Sequence, residues 1–188
     1  MNDVWTRRRL METALASGVG LLGARLAFAQ DGAAKPASAP ERVLELRNTH
    51  TGESLHVVYR RGDEYDPVAI AQLRNLMRDH RNGEAHDIDV ALYDQLFDLA
   101  QAAHCEPRYE IISGYRSPES NASLAAAGRG VSKHSLHMEG RAIDVRLHGC
   151  SCATLRDLAL AAARGGVGYY PSSDFVHVDT GRFRTWAG

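Results

Sequence analysis

Runs of alternating apolar and polar residues predict short β-strands along most of the chain. Two of these runs, residues 43–46 and 55–59, flank a turn in which Gly52 supplies the backbone freedom of a hairpin, so we expect them to pair. Every second side chain of such a run faces the same side of the sheet. The predicted strands are residues 43–46, 55–59, 109–112, 142–147, 167–170, 175–179 and 182–186.

Apolar residues at helical spacing predict four helices between these strands. The first begins at Asp66 and Pro67, where an N-cap acid precedes a proline at the first helical position. Another begins at Pro118, with Ser117 as its cap. The predicted helices cover about residues 67–79, 89–103, 118–127 and 154–163.

An irregular alternation of strands and helices with short connections is typical of α+β domains. At 188 residues the chain is long enough for one domain with an adequate hydrophobic core. We therefore expect a single compact α+β domain over residues 42–188, with a mostly antiparallel sheet flanked by helices.

The first 29 residues have the pattern of an export signal. Residues 6–10, Thr-Arg-Arg-Arg-Leu, are of the twin-arginine type, and the apolar stretch that follows ends in Ala-Phe-Ala at residues 27–29, a typical cleavage site. That stretch is shorter than the roughly 20 residues of a spanning helix and contains Arg25, which argues against a retained membrane anchor. We expect removal of residues 1–29, a flexible linker over residues 30–41, a periplasmic or otherwise exported protein, and no membrane span in the mature chain.

Charge and cysteine content narrow the function further. The formal net charge of −1 argues against a protein held to nucleic acid by a basic surface.

The cysteines at 105, 150 and 152 cannot all pair within the chain, although an oxidising compartment permits one disulfide from Cys105 to either of the others. His148, Cys150 and Cys152 are a rival metal site, but their spacing departs from the usual zinc pattern.

The densest group of metal-binding and proton-moving side chains lies in residues 132–144. His137 and Asp144 are seven residues apart, and Gly140 between them permits a tight turn or a close approach to another segment. With His137 in a loop and Asp144 on the following strand, one bend brings both to a common point. His177 supplies a third ligand, which leaves a tetrahedral zinc ion one position for water. These residues predict a hydrolase with one Zn²⁺, placed at the sheet and its adjoining loops.

Other polar side chains are expected around this metal site. His177 and Asp179 share one face of their strand, so Asp179 is a candidate for proton transfer or for orienting His177 through a hydrogen bond. His134 and Ser135 lie just before the first ligand, and Tyr170 ends a neighbouring strand. We regard His134, Ser135 and Tyr170 as candidate substrate-binding residues.

The order of these motifs resembles the M15 group of zinc peptidases, and most closely its exported murein endopeptidase branch. Members of this group cleave peptides of bacterial cell walls, and their relatives include D-alanyl-D-alanine carboxypeptidases and dipeptidases. The resemblance covers about residues 43–186. The matching motifs are S-G-Y-R over residues 113–116, S-x-H-x-x-G-x-A-x-D over residues 135–144, G-G-V-G-Y-Y-P over residues 165–171 and F-V-H-V-D-T-G over residues 175–181.

The resemblance implies roles for individual residues. The three predicted zinc ligands match those of the group, and Arg116 would face the substrate, where a guanidinium stabilises an oxyanion or binds a carboxylate. Many members have an acid three residues before the last histidine as the general base, which is Asp174 here, whereas the His-Val-Asp pattern favours Asp179. The sequence does not decide between these two acids.

We therefore expect an exported zinc-dependent peptidoglycan hydrolase that cleaves murein stem peptides or cross-links as an endopeptidase. One alternative is a D,D-carboxypeptidase or dipeptidase with the same type of site. Another is a non-catalytic, zinc-containing wall-binding module, which is disfavoured because the ligands, Arg116 and two candidate bases are all present.

Overall fold

The computed structural model describes residues 39–128 and 131–188. The predicted signal peptide and nearly all of the predicted linker lie outside these residues. The hairpin, the seven predicted strands and the four predicted helices are all present. A two-residue strand and a short 3₁₀ helix were not predicted, because such short elements have no detectable hydrophobic period.

The elements follow one another along the chain with short connections. The strands are β1 (Glu41–Asn48), β2 (Ser54–Arg61), β3 (Glu64–Tyr65), β4 (Arg108–Ser113), β5 (Ala142–Leu147), β6 (Gly166–Tyr170), β7 (Phe175–Asp179) and β8 (Arg184–Ala187). The helices are α1 (Pro67–Leu76), α2 (Val90–Ala102), α3 (Pro118–Ala126), the 3₁₀ helix (Leu136–Glu139) and α4 (Cys152–Ala162). The predicted caps are confirmed, since Asp66 accepts from the Val68 amide and Ser117 accepts from the Ser120 amide.

The strands form one sheet in the order β3-β2-β1-β4-β5-β7-β6-β8. The prediction of a mostly antiparallel sheet is wrong, because the sheet is mixed: β1 pairs with β4, and β6 with β8, in parallel. Helices α1 and α2 return the chain to the end of the sheet where β1 began, so β4 runs in the same direction as β1. Residues 180–183 carry the chain past the start of β6, so β8 runs parallel to β6. The α+β class and the single compact domain are confirmed.

The two faces of the sheet have different roles near its centre. Val176 and Val178 on β7 belong to the hydrophobic core, together with apolar side chains of α1, α2 and α4. His177 and Asp179 alternate with these valines and face the opposite side. On β5, Ile143 likewise belongs to the core. The alternation therefore separates a core face from a polar face on the same two strands.

Two sequence expectations concern features outside the sheet. All three cysteines are free thiols in the structure, so neither of the disulfides that the sequence permits is formed. Within the described part of the chain, no helix is both long enough and apolar enough to cross a membrane.

Candidate metal centre

Three potential ligand atoms meet on the polar face of the sheet. Asp144 Oδ1 lies 2.8 Å from His177 Nδ1 and 3.3 Å from His137 Nε2, and the two imidazole nitrogens are 3.2 Å apart. All three side chains are buried. Among residues 39–128 and 131–188, this is the one cluster of His, Cys, Asp and Glu side chains close enough to share a metal ion. The rival group at residues 148–152 does not form such a cluster.

The fold explains why residues far apart in the chain meet here. Asp144 on β5 is the direct cross-strand partner of His177 on β7, so both side chains leave the sheet side by side. The 3₁₀ helix places His137 above them and ends at Gly140, which has φ of +64°. A side chain at Gly140 would collide with the carbonyl oxygen of Asp87. The turn and the close approach predicted for this glycine are both present.

Each histidine is held in the tautomer that directs a lone pair towards Asp144. His137 Nδ1 donates to the carbonyl oxygen of Gly114 at 2.7 Å, because a carbonyl can only accept. His177 Nε2 donates to the carboxylate of Asp179 at 3.0 Å for the same reason. In the neutral rings, the nitrogens left facing Asp144 are then acceptors: Nε2 of His137 and Nδ1 of His177. Three electron-rich atoms converge on one point.

The electrostatics of the cluster favour a bound cation. Burial raises the pKa of Asp144, but the two imidazoles outweigh this effect and hold the pKa below its usual range. Burial lowers the pKa of His137. Burial also acts to lower the pKa of His177, but hydrogen bonds to Asp144 and Asp179 overcome this and raise it to about 8. An ionised carboxylate beside two buried imidazoles requires a proton or a metal ion between them.

The donor set and its spacing fit zinc. Two nitrogens and one carboxylate oxygen are typical of catalytic zinc sites, which keep one position open. Tetrahedral ligands about 2.0–2.1 Å from a zinc ion lie about 3.3 Å apart. The measured separations of 2.8–3.3 Å are close to this value. His137, Asp144 and His177 are therefore suited to hold one Zn²⁺.

Asp179 lies behind His177 and has no free hydrogen-bonding capacity. It is fully buried and accepts from the backbone amides of Gly166 at 2.8 Å and Gly181 at 2.9 Å, in addition to His177. The Arg184 guanidinium binds both carboxylate oxygens, at 3.0 and 2.7 Å. Burial raises the pKa of Asp179, but the His177 and Arg184 hydrogen bonds outweigh it and hold this pKa below its usual range. Its position matches the predicted orienting contact with His177.

A cavity of about 380 Å³ opens beside the three ligands. Four further residues that the sequence singled out line this cavity. They are Arg116, His134, Ser135 and Tyr170. The structure thus brings these four together with the candidate metal ligands.

Arg116 is buried against the metal cluster. Its guanidinium nitrogens bind Asn121 Oδ1 at 3.2 Å and Ser113 Oγ at 3.3 Å, and the nearer one lies 4.0 Å from Asp144 Oδ2. Its Nε has no hydrogen-bond partner among the described residues. Burial lowers the pKa of Arg116. Arg116 therefore places a buried positive charge on the wall of the cavity, where it is suited to attract an anionic oxygen.

Asp174 is not part of the cavity wall. It lies on the turn between β6 and β7 with φ of +51°, and its side chain is 72% exposed. Its carboxylate lies 3.5 Å from Arg146 Nε, and Arg146 also donates to the backbone carbonyls of Asp174 and Ser173. The structure therefore places Asp174 among turn contacts and away from the three ligands.

Two cavity residues, Arg184 and Trp186, were missed as functional residues. Trp186 packs against the His177 ring with centroids 5.0 Å apart and donates from Nε1 to the Tyr170 hydroxyl at 2.9 Å. A Cβ at Gly168 would lie 2.6 Å from the indole, so only glycine leaves room for Trp186. The available signal was the alternation of the predicted last strand, which places residues 184 and 186 on one face.

Comparisons with known proteins agree with these motifs. A family model described as peptidoglycan L,D-endopeptidase MepK matches residues 36–186. The chain is 40% identical over 184 residues to the peptidoglycan L,D-endopeptidase MepK of Escherichia coli strain K12, covering 96% of both chains. It is 38% identical over 148 residues to the probable peptidoglycan L,D-endopeptidase MepK of Haemophilus influenzae, covering 78% of this chain and 80% of that protein. The chain therefore belongs to the M15-type family of murein endopeptidases, which confirms the resemblance noted in its motifs.

Proposed function

We propose that this murein endopeptidase is an exported enzyme that cleaves L,D peptide bonds in peptidoglycan with one Zn²⁺ held by His137, Asp144 and His177. The observation that carries the proposal is the convergence of two imidazole lone pairs and a carboxylate oxygen beside a cavity of about 380 Å³. The names of the relatives in Escherichia coli and Haemophilus influenzae support the L,D specificity. Export is supported by the twin-arginine pattern at residues 6–10.

The chain's own residues bind and polarise the substrate around the ion. When bound, zinc would polarise the scissile carbonyl and activate a water molecule. Arg116 would stabilise the negative charge that develops on the carbonyl oxygen, because its guanidinium is buried on the cavity wall beside Asp144. A charge–charge contact in such a buried site is worth more than the same contact in water.

The rest of the cavity wall would hold the peptide on either side of the scissile bond. The Tyr170 hydroxyl already accepts a hydrogen bond from Trp186, so its own proton is free to donate to a substrate carbonyl. Its ring stacks on Phe175 with centroids 4.5 Å apart, which fixes its orientation. Ser135 is buried in the wall next to the 3₁₀ helix and would position the substrate backbone.

A digest of defined muropeptides tests the proposal. We expect the zinc-loaded protein to convert an L,D-cross-linked dimer into monomers, to leave a D,D-cross-linked dimer intact and to release no D-alanine from a pentapeptide. Removing zinc with a chelator, or replacing His137 with alanine, should lower the rate at least about 10³-fold, because several kcal/mol of transition-state stabilisation are lost. Products are separated by chromatography and identified by mass spectrometry.

Controls separate this function from its alternatives. His148→Ala replaces a histidine on the turn after β5, which is not part of the cavity wall, and should retain the wild-type rate. Added zinc should restore the chelated wild type but not His137→Ala. Release of D-alanine would indicate a carboxypeptidase instead, and binding to sacculi without any product would indicate a wall-binding module. Full activity after complete metal removal would contradict the zinc mechanism.

A further inference from the structure

Hydrolysis of a peptide bond needs a group that moves a proton from the attacking water to the leaving nitrogen. The group has to lie within about 3 Å of the water or reach it through one other water, so it must be part of the cavity wall. Asp174 and Asp179, the two acids singled out in the sequence, are the first candidates to test against this requirement. This inference rests on the proposed peptidase function.

Neither acid meets the requirement. Asp179 is fully buried behind the His177 ring and already accepts five hydrogen bonds, from two backbone amides, both Arg184 amino groups and His177. Asp174 lies on an exposed turn, paired with Arg146, and does not line the cavity. A carboxylate in either position has no path to a water beside the three ligands.

Among the residues that the structure describes, the cavity wall contains few other groups that could accept a proton. Its one carboxylate is Asp144, whose Oδ1 is directed at the two imidazoles of the metal cluster. Its one phenol is Tyr170, whose hydroxyl oxygen already accepts a hydrogen bond from Trp186 and whose own proton makes it a donor. Arginine side chains stay protonated. The remaining proton-accepting group is the imidazole of His134, which lines the cavity and does not belong to the ligand cluster.

We propose that His134 is the general base and acid of the reaction. An imidazole can both accept and release a proton, which suits it to both halves of a hydrolysis. In the first step a water O–H bond breaks and its proton moves to the ring nitrogen of His134, while the water oxygen bonds to the carbonyl carbon and the C=O π pair moves onto the carbonyl oxygen. In the second step the C=O bond re-forms, the C–N bond breaks and the proton moves from His134 to the leaving nitrogen. His134 ends as it began, and one water is consumed.

The loop that carries His134 is tied to other parts of the site. The backbone amide of His134 donates to Ser132 Oγ at 3.1 Å, and the carbonyl of Ser132 accepts from Asn121 Nδ2 at 3.0 Å. Asn121 on α3 also accepts from Arg116 through its Oδ1. One asparagine therefore links the His134 loop and the guanidinium of Arg116. His134 itself is exposed, so water can reach its ring.

His134→Ala in the full-length, zinc-loaded enzyme tests the proposal with the L,D-cross-linked dimer as substrate. We expect kcat to fall about 10²–10⁴-fold, the range for loss of a general base, with KM and bound zinc unchanged. Added imidazole should restore part of the activity. In a series of substituted imidazoles, the restored rate should rise with the basicity of the additive, because each one replaces the missing proton acceptor.

Two matched variants make the outcome decisive. His148→Ala removes a histidine outside the cavity, and Asp174→Asn keeps a residue type that tolerates positive φ. Both should retain wild-type kcat and show no response to imidazole. Wild-type kcat in His134→Ala, a lack of rescue by any imidazole, or loss of activity in Asp174→Asn alone would each overturn the role of His134. If the wild-type enzyme itself does not cleave the dimer, the proposed function fails instead.

Discussion

At the scale of single residues, the candidate metal centre depends on hydrogen bonds whose partners can only accept. The carbonyl oxygen of Gly114 and the carboxylate of Asp179 each take the proton of one imidazole nitrogen, which leaves the other nitrogen of that ring free for a metal. Neither partner touches the candidate metal position. Both should affect metal affinity through the histidine that they hold.

Asp179→Asn should weaken zinc binding about 10- to 100-fold, the usual effect of removing such an outer partner. The amide has one acceptor oxygen for the five donors that the carboxylate satisfies, so His177 loses its fixed orientation. Zinc affinity is measured by competition with a chromophoric chelator. Asp174→Asn, on its exposed turn, should bind zinc as the wild type does. Equal zinc affinities of Asp179→Asn and the wild type would show that Asp179 does not contribute to metal binding.

At the scale of elements, the turn after α1 holds the segment after β4 in place. The Tyr115 amide donates to the Met77 carbonyl at 2.8 Å, and a Cβ on Gly114 would lie 2.5 Å from that same oxygen. Asp79 is fully buried and accepts from the Ser117 amide at 2.9 Å and the Ser117 hydroxyl at 3.0 Å. These contacts of Met77 and Asp79 place Gly114 against His137 and direct Arg116 into the cavity.

Asp79→Asn should lower the free energy of unfolding by about 2 kcal/mol at pH 7, because buried hydrogen bonds to a charged group are lost. Burial raises the pKa of Asp79, but hydrogen bonds from Ser120, the Arg81 amide and Ser117 outweigh it and lower this pKa from 3.8 to about 2. The folded-state value lies below the unfolded-state value, so the carboxylate stabilises the fold above about pH 4. That stabilisation is lost as the pH falls through about 2.

Urea titrations at pH 7, 5 and 3 check this prediction. The difference in free energy of unfolding between the wild type and Asp79→Asn should be constant from pH 7 down to about pH 5 and should shrink towards pH 3. Asp63→Asn removes a carboxylate whose side chain is fully exposed, and it should change stability by less than about 0.5 kcal/mol at every pH. If the difference in free energy of unfolding stays constant down to pH 3, the charge of Asp79 does not contribute to stability.

At the scale of the whole molecule, one sheet supports both the core and the site. Valines of β7 belong to the core, while His177 and Asp179 on the same strand belong to the candidate metal centre. Strand β8 adds Arg184 and Trp186 at the edge of the sheet, where they reach the site from the far side of β6. The site therefore draws on strands from the centre and from the edge of one sheet.

The export proposal also concerns the whole chain. Replacing Arg7 and Arg8 with lysine should keep the protein inside the cell, because a twin-arginine signal depends on the arginine pair. Immunoblots of periplasmic and cytoplasmic fractions measure this. The wild type should be found outside the cytoplasm and shorter by about the 29 residues of the predicted signal. Unchanged export of the double variant would argue against the twin-arginine route.

The outline of the fold could be predicted from local patterns. Alternation and helical spacing located every element of more than four residues, because these periods are properties of neighbouring residues. The parallel pairing of β1 with β4 and of β6 with β8 could not be predicted, because strand direction depends on how the chain returns across the sheet. Short elements such as β3 were missed for lack of a period.

By itself, the sequence determined the family and the three candidate metal ligands. Residue types at fixed spacing, such as His137 with Asp144 and the later His177, carry their chemistry without coordinates. Only the tertiary structure decided which polar neighbours reach the cavity. It placed His134 on the cavity wall, Asp174 on an outer turn and Asp179 behind a histidine, because the direction of a side chain depends on its turn, its strand face and the partners that occupy its oxygens.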